Sequence, residues 1–186
     1  MDMNPQALSA TAPGPDSGHR VWTFAFQPRA DEAWSRFTEQ LCEAIGALEE
    51  DEFLIVSIKR SNRFVQFAGQ GRFGMRAEAT SNFYLPERES LGDAQHASLL
   101  GLGWCAPTNL PDEIEPGPHR PDGSPNYFLD VAAPVPFDML AIIAVETLTG
   151  VYGALHPLEL EYTAFSEDGT SIRFPALGIR WQGARP

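Results

Sequence analysis

Cysteine is scarce in this chain: Cys42 and Cys105 are the only two, far apart and outside any CxxC pattern. Two isolated thiols provide neither a disulfide framework nor a thiolate metal cage. Histidine is equally thin. His19, His96, His119 and His156 occur singly, with no HxH, HExxH or Cys/His cluster, so no metal site is expected. Positive charge is in deficit: thirteen Lys and Arg against twenty-five Asp and Glu leave a formal net charge of −12. Nonspecific nucleic-acid binding starts from phosphate neutralisation, so it is disfavoured, and attachment to anionic membranes is disfavoured by the same sign. Long apolar runs are missing as well. The most apolar stretch, Val135–Tyr152, is broken by Asp138, Glu146 and Thr149 and falls short of the ~20 residues of a membrane span. The N-terminal stretch has no basic start and no apolar core of a secretory signal, and the protein reads as cytoplasmic.

Catalytic patterns are wanting too. There is no GxSxG, and nothing around Cys105 marks it as a thiolate. The run Gly69-Gln70-Gly71-Arg72-Phe73-Gly74 has the spacing of a phosphate loop, but it joins two strands and opens no helix. Arg76 and Glu78 share one face of a strand and read as a solvated pair. His156, in Ala154-Leu155-His156-Pro157, reads as a turn residue. No cofactor and no catalytic residue are expected.

What is present is the patterning of a globular chain, with an N-terminal tail over residues 1–18 and one domain over 19–182. Arg20–Gln27 is aromatic and β-branched enough for a strand. Over Asp31–Leu48, Trp34, Phe37, Leu41, Ile45 and Leu48 recur at spacings of three and four, which draws one apolar stripe on a helix. Phe53–Lys59, Phe64–Ala68 and Arg72–Thr80 read as an antiparallel meander. In its third strand Phe73, Met75, Ala77 and Ala79 share a face. Asp93–Leu102 reads as a short helix ended by Gly103, and Ala106–Pro134 as a long proline-rich loop. Val135–Tyr152 is a second long helix, apolar around most of its circumference, so a homodimer partner is expected to help cover it. Leu158–Phe165 alternates cleanly, with Leu158, Leu160, Tyr162 and Ala164 on one side. Ser171–Phe174 and Ala176–Trp181 follow as extended pieces.

Trp22, Phe64, Tyr84, Trp104, Tyr127 and Phe128 fall outside the obvious core stripes. Large aromatics beside loops suit recognition, because they bury much area at low entropic cost. Asn82 suits either a turn brace or a bond to a peptide backbone.

The order of short motifs resembles the TY-Chap domains, grouped with type III secretion chaperones and YbjN proteins. The motifs are Trp34-x-x-Phe37, Leu54-Ile55-Val56, Phe64-Val65-Gln66-Phe67-Ala68, Arg76-Ala77-Glu78 and Ser81-Asn82-Phe83-Tyr84-Leu85. After them come Leu102-Gly103-Trp104-x-x-Pro107, Asn126-Tyr127-Phe128, Thr147-Leu148-x-x-Val151-Tyr152-Gly153 and Leu160-Glu161-Tyr162. The resemblance spans about Asp31 to Phe165. It implies an α+β fold like the secretion chaperones, with an antiparallel sheet of about five or six strands packed by two long helices and one short one. It also implies a client peptide or protein as partner, held without catalysis in an apolar groove or at a sheet edge. The candidate peptide-contacting residues are Phe64, Gln66, Asn82, Tyr84, Trp104 and Tyr127. Two rivals stay open: an immunity- or antitoxin-like acidic protein that neutralises a basic partner, and a small-molecule enzyme built on His156 or Glu78.

Overall fold

The computed structural model describes residues 32–108 and 124–183. The tail over 1–18, the strand expected at Arg20–Gln27 and most of the proline-rich loop lie outside the described residues.

Helix α1, Glu32–Gly46, buries Trp34, Phe37, Leu41, Ala44 and Ile45, the stripe its spacing draws. Glu32 sits at the positive end of the helix dipole and pairs with Arg36 at 3.2 Å. Strands β1 (Glu52–Ile58), β2 (Phe64–Gly69) and β3 (Met75–Ala79) form the meander. After α2, Asp93–Gly101, the backbone turns left-handed at Gly103. Strand β4, Tyr127–Val131, helix α3, Phe137–Glu146, and strands β5 (Leu160–Ser166) and β6 (Arg180–Trp181) complete the order.

The six strands run β4-β3-β2-β1-β5-β6, which puts the apolar β1 at the centre. Every neighbour pair is antiparallel except β5–β6, which is parallel, so the sheet is mixed where the sequence reads as antiparallel throughout. One face carries Leu54, Phe67, Ala77, Leu129 and Ala164 in a single cross-strand row, and a second row joins Val56, Val65, Ala79, Tyr127 and Tyr162. All ten are buried, and α1 and α3, packed side by side, belong to the same core.

Four expectations are corrected. The Ala106–Pro134 segment contains β4, which adds to β3 through the pairs Ala77↔Leu129 and Ala79↔Tyr127. Phe73 is not on a strand: a short turn of 3₁₀ helix over Gly71–Phe73 leaves it 63% exposed. The same happens at Leu158, 64% exposed in the 3₁₀ turn Pro157–Glu159 ahead of β5. The Val135–Tyr152 helix is α only over Phe137–Glu146 and widens into a π turn, Thr147–Val151. Thr147 and Thr149 donate their hydroxyls to the carbonyls of Ile143 and Val145, four residues back, which loosens the backbone ladder there. Leu140, Ala141, Ile143, Ala144, Val145, Leu148 and Val151 are buried within one chain. A second copy is not required to cover this helix.

Candidate functional site

Among the described residues, no helix packs on the other face of the sheet. Its residues fall in register as Asp130–Arg76–Ala68–Phe53–Phe165, then Phe128–Glu78–Gln66–Ile55–Thr163, then Phe64–Ser57–Glu161. Most are half-buried.

The β3–β4 side of this face is built over. Thr108 and Ser124 clasp each other across the base of the proline-rich loop: Thr108 N–H donates to the Ser124 carbonyl at 2.9 Å, and Ser124 N–H to the Thr108 hydroxyl at 2.8 Å. Ser124 then donates its hydroxyl to Glu78 Oε1 at 2.7 Å, while the Asn126 amide reaches Oε2 at 3.3 Å and Gln66 Nε2 bonds the same oxygen. Glu78 is only 8% exposed. The expected solvated Arg76–Glu78 pair is therefore corrected: Glu78 is enclosed by neutral donors, and Arg76 forms a two-pronged ion pair with Asp130 at 2.7 and 2.9 Å. That guanidinium also lies over the Phe128 ring, 5.6 Å from its centroid.

Among the described residues, the β1–β5 side is uncovered. Ile55, Ser57, Thr163 and Phe165 floor a hollow of about 470 Å³, walled by the hairpin tip Arg60–Asn62 and by Gln182. Below it Phe53 and Phe165 stack with ring centroids 5.3 Å apart. Arg60, Glu161 and Gln182 also border a second hollow, of about 620 Å³, reaching Lys59, Leu158 and Arg180. Together they make a trough running along β1 and β5. The outer flanks of β4 and β5 offer less room. Cys105 bridges to Phe128 on the free side of β4 with bonds of 2.9 and 3.2 Å, and Ile172 and Gln182 donate to β5 carbonyls at 2.8 and 2.7 Å.

The structure divides the six expected contact residues. Phe64 and Gln66 lie on the uncovered face, although Gln66 is tied to Glu78. Tyr84 is exposed and packs edge-on against exposed Phe83, 4.8 Å away; Asn62 donates to the Tyr84 carbonyl at 3.2 Å, joining this turn to the hairpin tip. Asn82 braces a turn: Oδ1 accepts from Leu91 N–H at 2.6 Å and Nδ2 donates to the Leu91 carbonyl at 3.0 Å. Trp104 is 3% exposed and donates its indole N–H to Thr147 Oγ1 at 2.9 Å. Tyr127 is 4% exposed, its hydroxyl bonded to His96 Nδ1, and burial pushes its phenol above the ordinary tyrosine range. Trp22 lies outside the described residues. The trough residues Ile55, Thr163 and Phe165, and Phe53 stacked on Phe165, were not singled out by sequence. One signal for them existed: Phe53 and Ile55 are apolar on one side of β1 while Leu54 and Val56 are apolar on the other, so both faces of that strand are written for contact.

His156 and Glu78 do not come together, since His156 accepts from Leu158 N–H at 3.1 Å in a separate turn. Among the described residues no three His, Cys, Asp or Glu side chains gather as a metal site, and no helix is long and apolar enough to cross a membrane. The Cys42 thiol is raised by burial, then by the nearby carboxylates Asp138 and Glu43.

A mixed six-stranded sheet, backed by helices on one face and, among the described residues, uncovered over β1 and β5 on the other, defines an α+β domain. The family model TY-Chap3, described as "T3SS (YopN, CesT) and YbjN peptide-binding chaperone 3", matches residues 27–166, and the chain belongs to that family. No curated protein and no solved structure matches it.

Proposed function

We propose that this protein is a non-enzymatic, chaperone-like domain of the cytoplasm that holds an extended client segment in the trough over β1 and β5. The observation that carries the reading is the pair of apolar side chains Ile55 and Phe165, set among Ser57 and Thr163 in a hollow that no helix among the described residues covers, on a sheet whose other face is packed. Membership of a peptide-binding chaperone family supports it. Bonds along the flanks of β4 and β5 favour the groove over edge addition as the mode of capture. Phe64 and Tyr84 would extend the contact toward the hairpin tip. Gln66, Asn82, Trp104 and Tyr127 would act mainly by holding the sheet and turns that shape it.

Ile55 and Phe165 are the residues to change. Trp104 is not, because emptying a buried indole site costs about 3–5 kcal/mol of stability and would read as lost folding. Ile55→Glu and Phe165→Ser are expected to weaken a labelled, extended apolar peptide at least ~tenfold, with the circular dichroism spectrum retained. A tenfold loss corresponds to about 1.4 kcal/mol, less than full burial of one such side chain supplies. Undiminished binding in both variants would end the reading.

One observation favours the rival binder. Glu49, Glu50, Asp51, Glu52, Glu167 and Asp168 crowd one end of the sheet, a surface suited to neutralising a basic partner. Binding of a basic protein that survives Ile55→Glu but fades with salt would select it.

A further inference from the structure

We propose that the segment held in the trough is two-ended: apolar at alternate positions along its middle, carboxylate-bearing at one end and cationic at the other. This rests on the trough being the client site.

The strands carry opposite charge at their two ends. Where β1 begins and β5 ends, Glu52 pairs in register with Ser166, and Glu167 N–H donates to the Asp51 carbonyl at 2.9 Å. That contact continues the Phe53–Phe165 register to Asp51 and Glu167, with Glu49, Glu50 and Asp168 beside them in the chain; Glu52 lies in the Leu54 row on the helix-packed side and accepts from Glu49 N–H. At the far end Lys59 and Arg60 follow β1, and Arg180 of β6 stands opposite Glu161. Lys59 is occupied, its ammonium bonded to the Leu158 carbonyl. Among the described residues, the side chains of Arg60 and Arg180 have neither a hydrogen bond nor an ion pair, and both border the trough. Glu159 and Glu161 border the same hollow, and Glu159 is engaged by the Leu155 N–H at 2.8 Å, so cations still outnumber carboxylates there. Two uncommitted guanidiniums at a groove mouth suit a carboxylate, which each can grip with paired N–H groups. Between the poles apolar and hydroxyl-bearing side chains alternate across the strands: the Phe53–Phe165 stack, Ile55 beside Ser57 and Thr163, then exposed Leu158.

Distance decides whether the poles act separately. The seven residues of β1 span roughly 23 Å at ~3.3 Å each, nearly three times the ~8 Å screening length of physiological salt. Each end of a bound segment therefore senses its own pole, and the net charge of −12 does not set which end lies where. An all-acidic segment would meet the acidic end around Asp51 and Glu167. An all-basic one would meet Arg60 and Arg180 at the other.

Three labelled peptides with the same alternating apolar centre test this on the full chain by fluorescence anisotropy. One has acidic residues at one end and basic at the other, one is acidic at both ends and one is basic at both. The two-ended peptide is expected to bind about tenfold tighter than either, as two or three partly exposed ion contacts would give, and the advantage is expected to vanish near 0.5 M salt. In the Arg60→Glu, Arg180→Glu double variant the preference is expected to pass to the peptide basic at both ends. Should that variant misfold, Arg60→Gln alone carries the test: a smaller preference supports the proposal and an unchanged one overturns it. Equal binding of all three peptides overturns the charge rule and leaves the trough intact as a client site. Binding of none overturns both, and self-association that blocks every peptide would assign the trough to a second copy.

Discussion

Glu78 shows how much one side chain can settle. It sits on the face of β3 away from the helices yet is buried, and among the described residues no cation bonds its carboxylate; the Ser124 hydroxyl and the Asn126 and Gln66 amides supply its partners. Ser124 is also half of the clasp that closes the proline-rich loop, so this carboxylate ties β3 to both the loop base and the approach to β4. Glu78→Gln exchanges an acceptor oxygen for an NH₂ that would face donors already aimed at that spot. A loss of about 1–3 kcal/mol is expected, the cost of a buried polar group left unmatched. A urea midpoint that falls with an unchanged slope would measure it; a midpoint equal to that of the parent would mean that the network contributes nothing.

At the scale of elements, the end of α3 and its π turn is the junction on which the core closes. Arg63, in the β1–β2 turn, donates to the Tyr152 carbonyl at 3.0 Å and to the Glu89 carbonyl at 3.1 Å, a cation at the negative end of a helix. Arg63→Ala is expected to cost about 2 kcal/mol, or roughly 4–8 °C in a chain of this size. Tyr152 donates its hydroxyl to the Thr80 carbonyl at 2.7 Å, and burial raises its phenol far above the usual range. A group whose folded value is raised contributes stability that is complete below its unfolded value, near 10, and is lost as pH climbs toward the folded one. Stability should therefore decline above about pH 10, with Tyr127 contributing in the same direction. Tyr152→Phe should start about 1 kcal/mol lower and decline less steeply in denaturant titrations at pH 9 to 11. The elements were legible in the sequence where the pattern is local. The α1 stripe, the meander and α2 follow from periods of 3.6 and 2, and their observed ends shift by a few residues. Strand β4 was read as loop because five residues among prolines draw too short an alternation, and only pairing with β3 defines it. The parallel partner of β5 is a long-range fact that local patterning does not encode. Alternation also continues past strand ends, which is why Phe73 and Leu158 were placed on strands although a 3₁₀ turn intervenes. Trp104 and Tyr127 looked surplus because their core contacts come from the distant π turn and α2, through Thr147 and His96.

The whole molecule is set by an uneven distribution of charge, and salt should act on its stability and on its binding with opposite signs. The crowded acidic end stores repulsion in the folded state that the unfolded chain relieves by expanding. Asp51 concentrates the problem. Its φ of 61° is left-handed, and its backbone is fixed by bonds from its N–H to Gly69 and from Glu167 to its carbonyl, so the side chain cannot turn its charge away by a change of backbone. Asn tolerates the same backbone region without the charge. Asp51→Asn is expected to raise stability by a few tenths to about 1 kcal/mol at low salt, and by less at 0.5 M sodium chloride, where the parent has already gained from screening. The two-ended peptide should show the reverse, binding more weakly as salt rises, because its ends meet opposite charge. Urea melts and anisotropy titrations across one salt series give both slopes on one sample. Slopes of the same sign would mean that the acidic end does not strain the fold, or that the ends of the trough do not read charge, and the Asn variant separates the two.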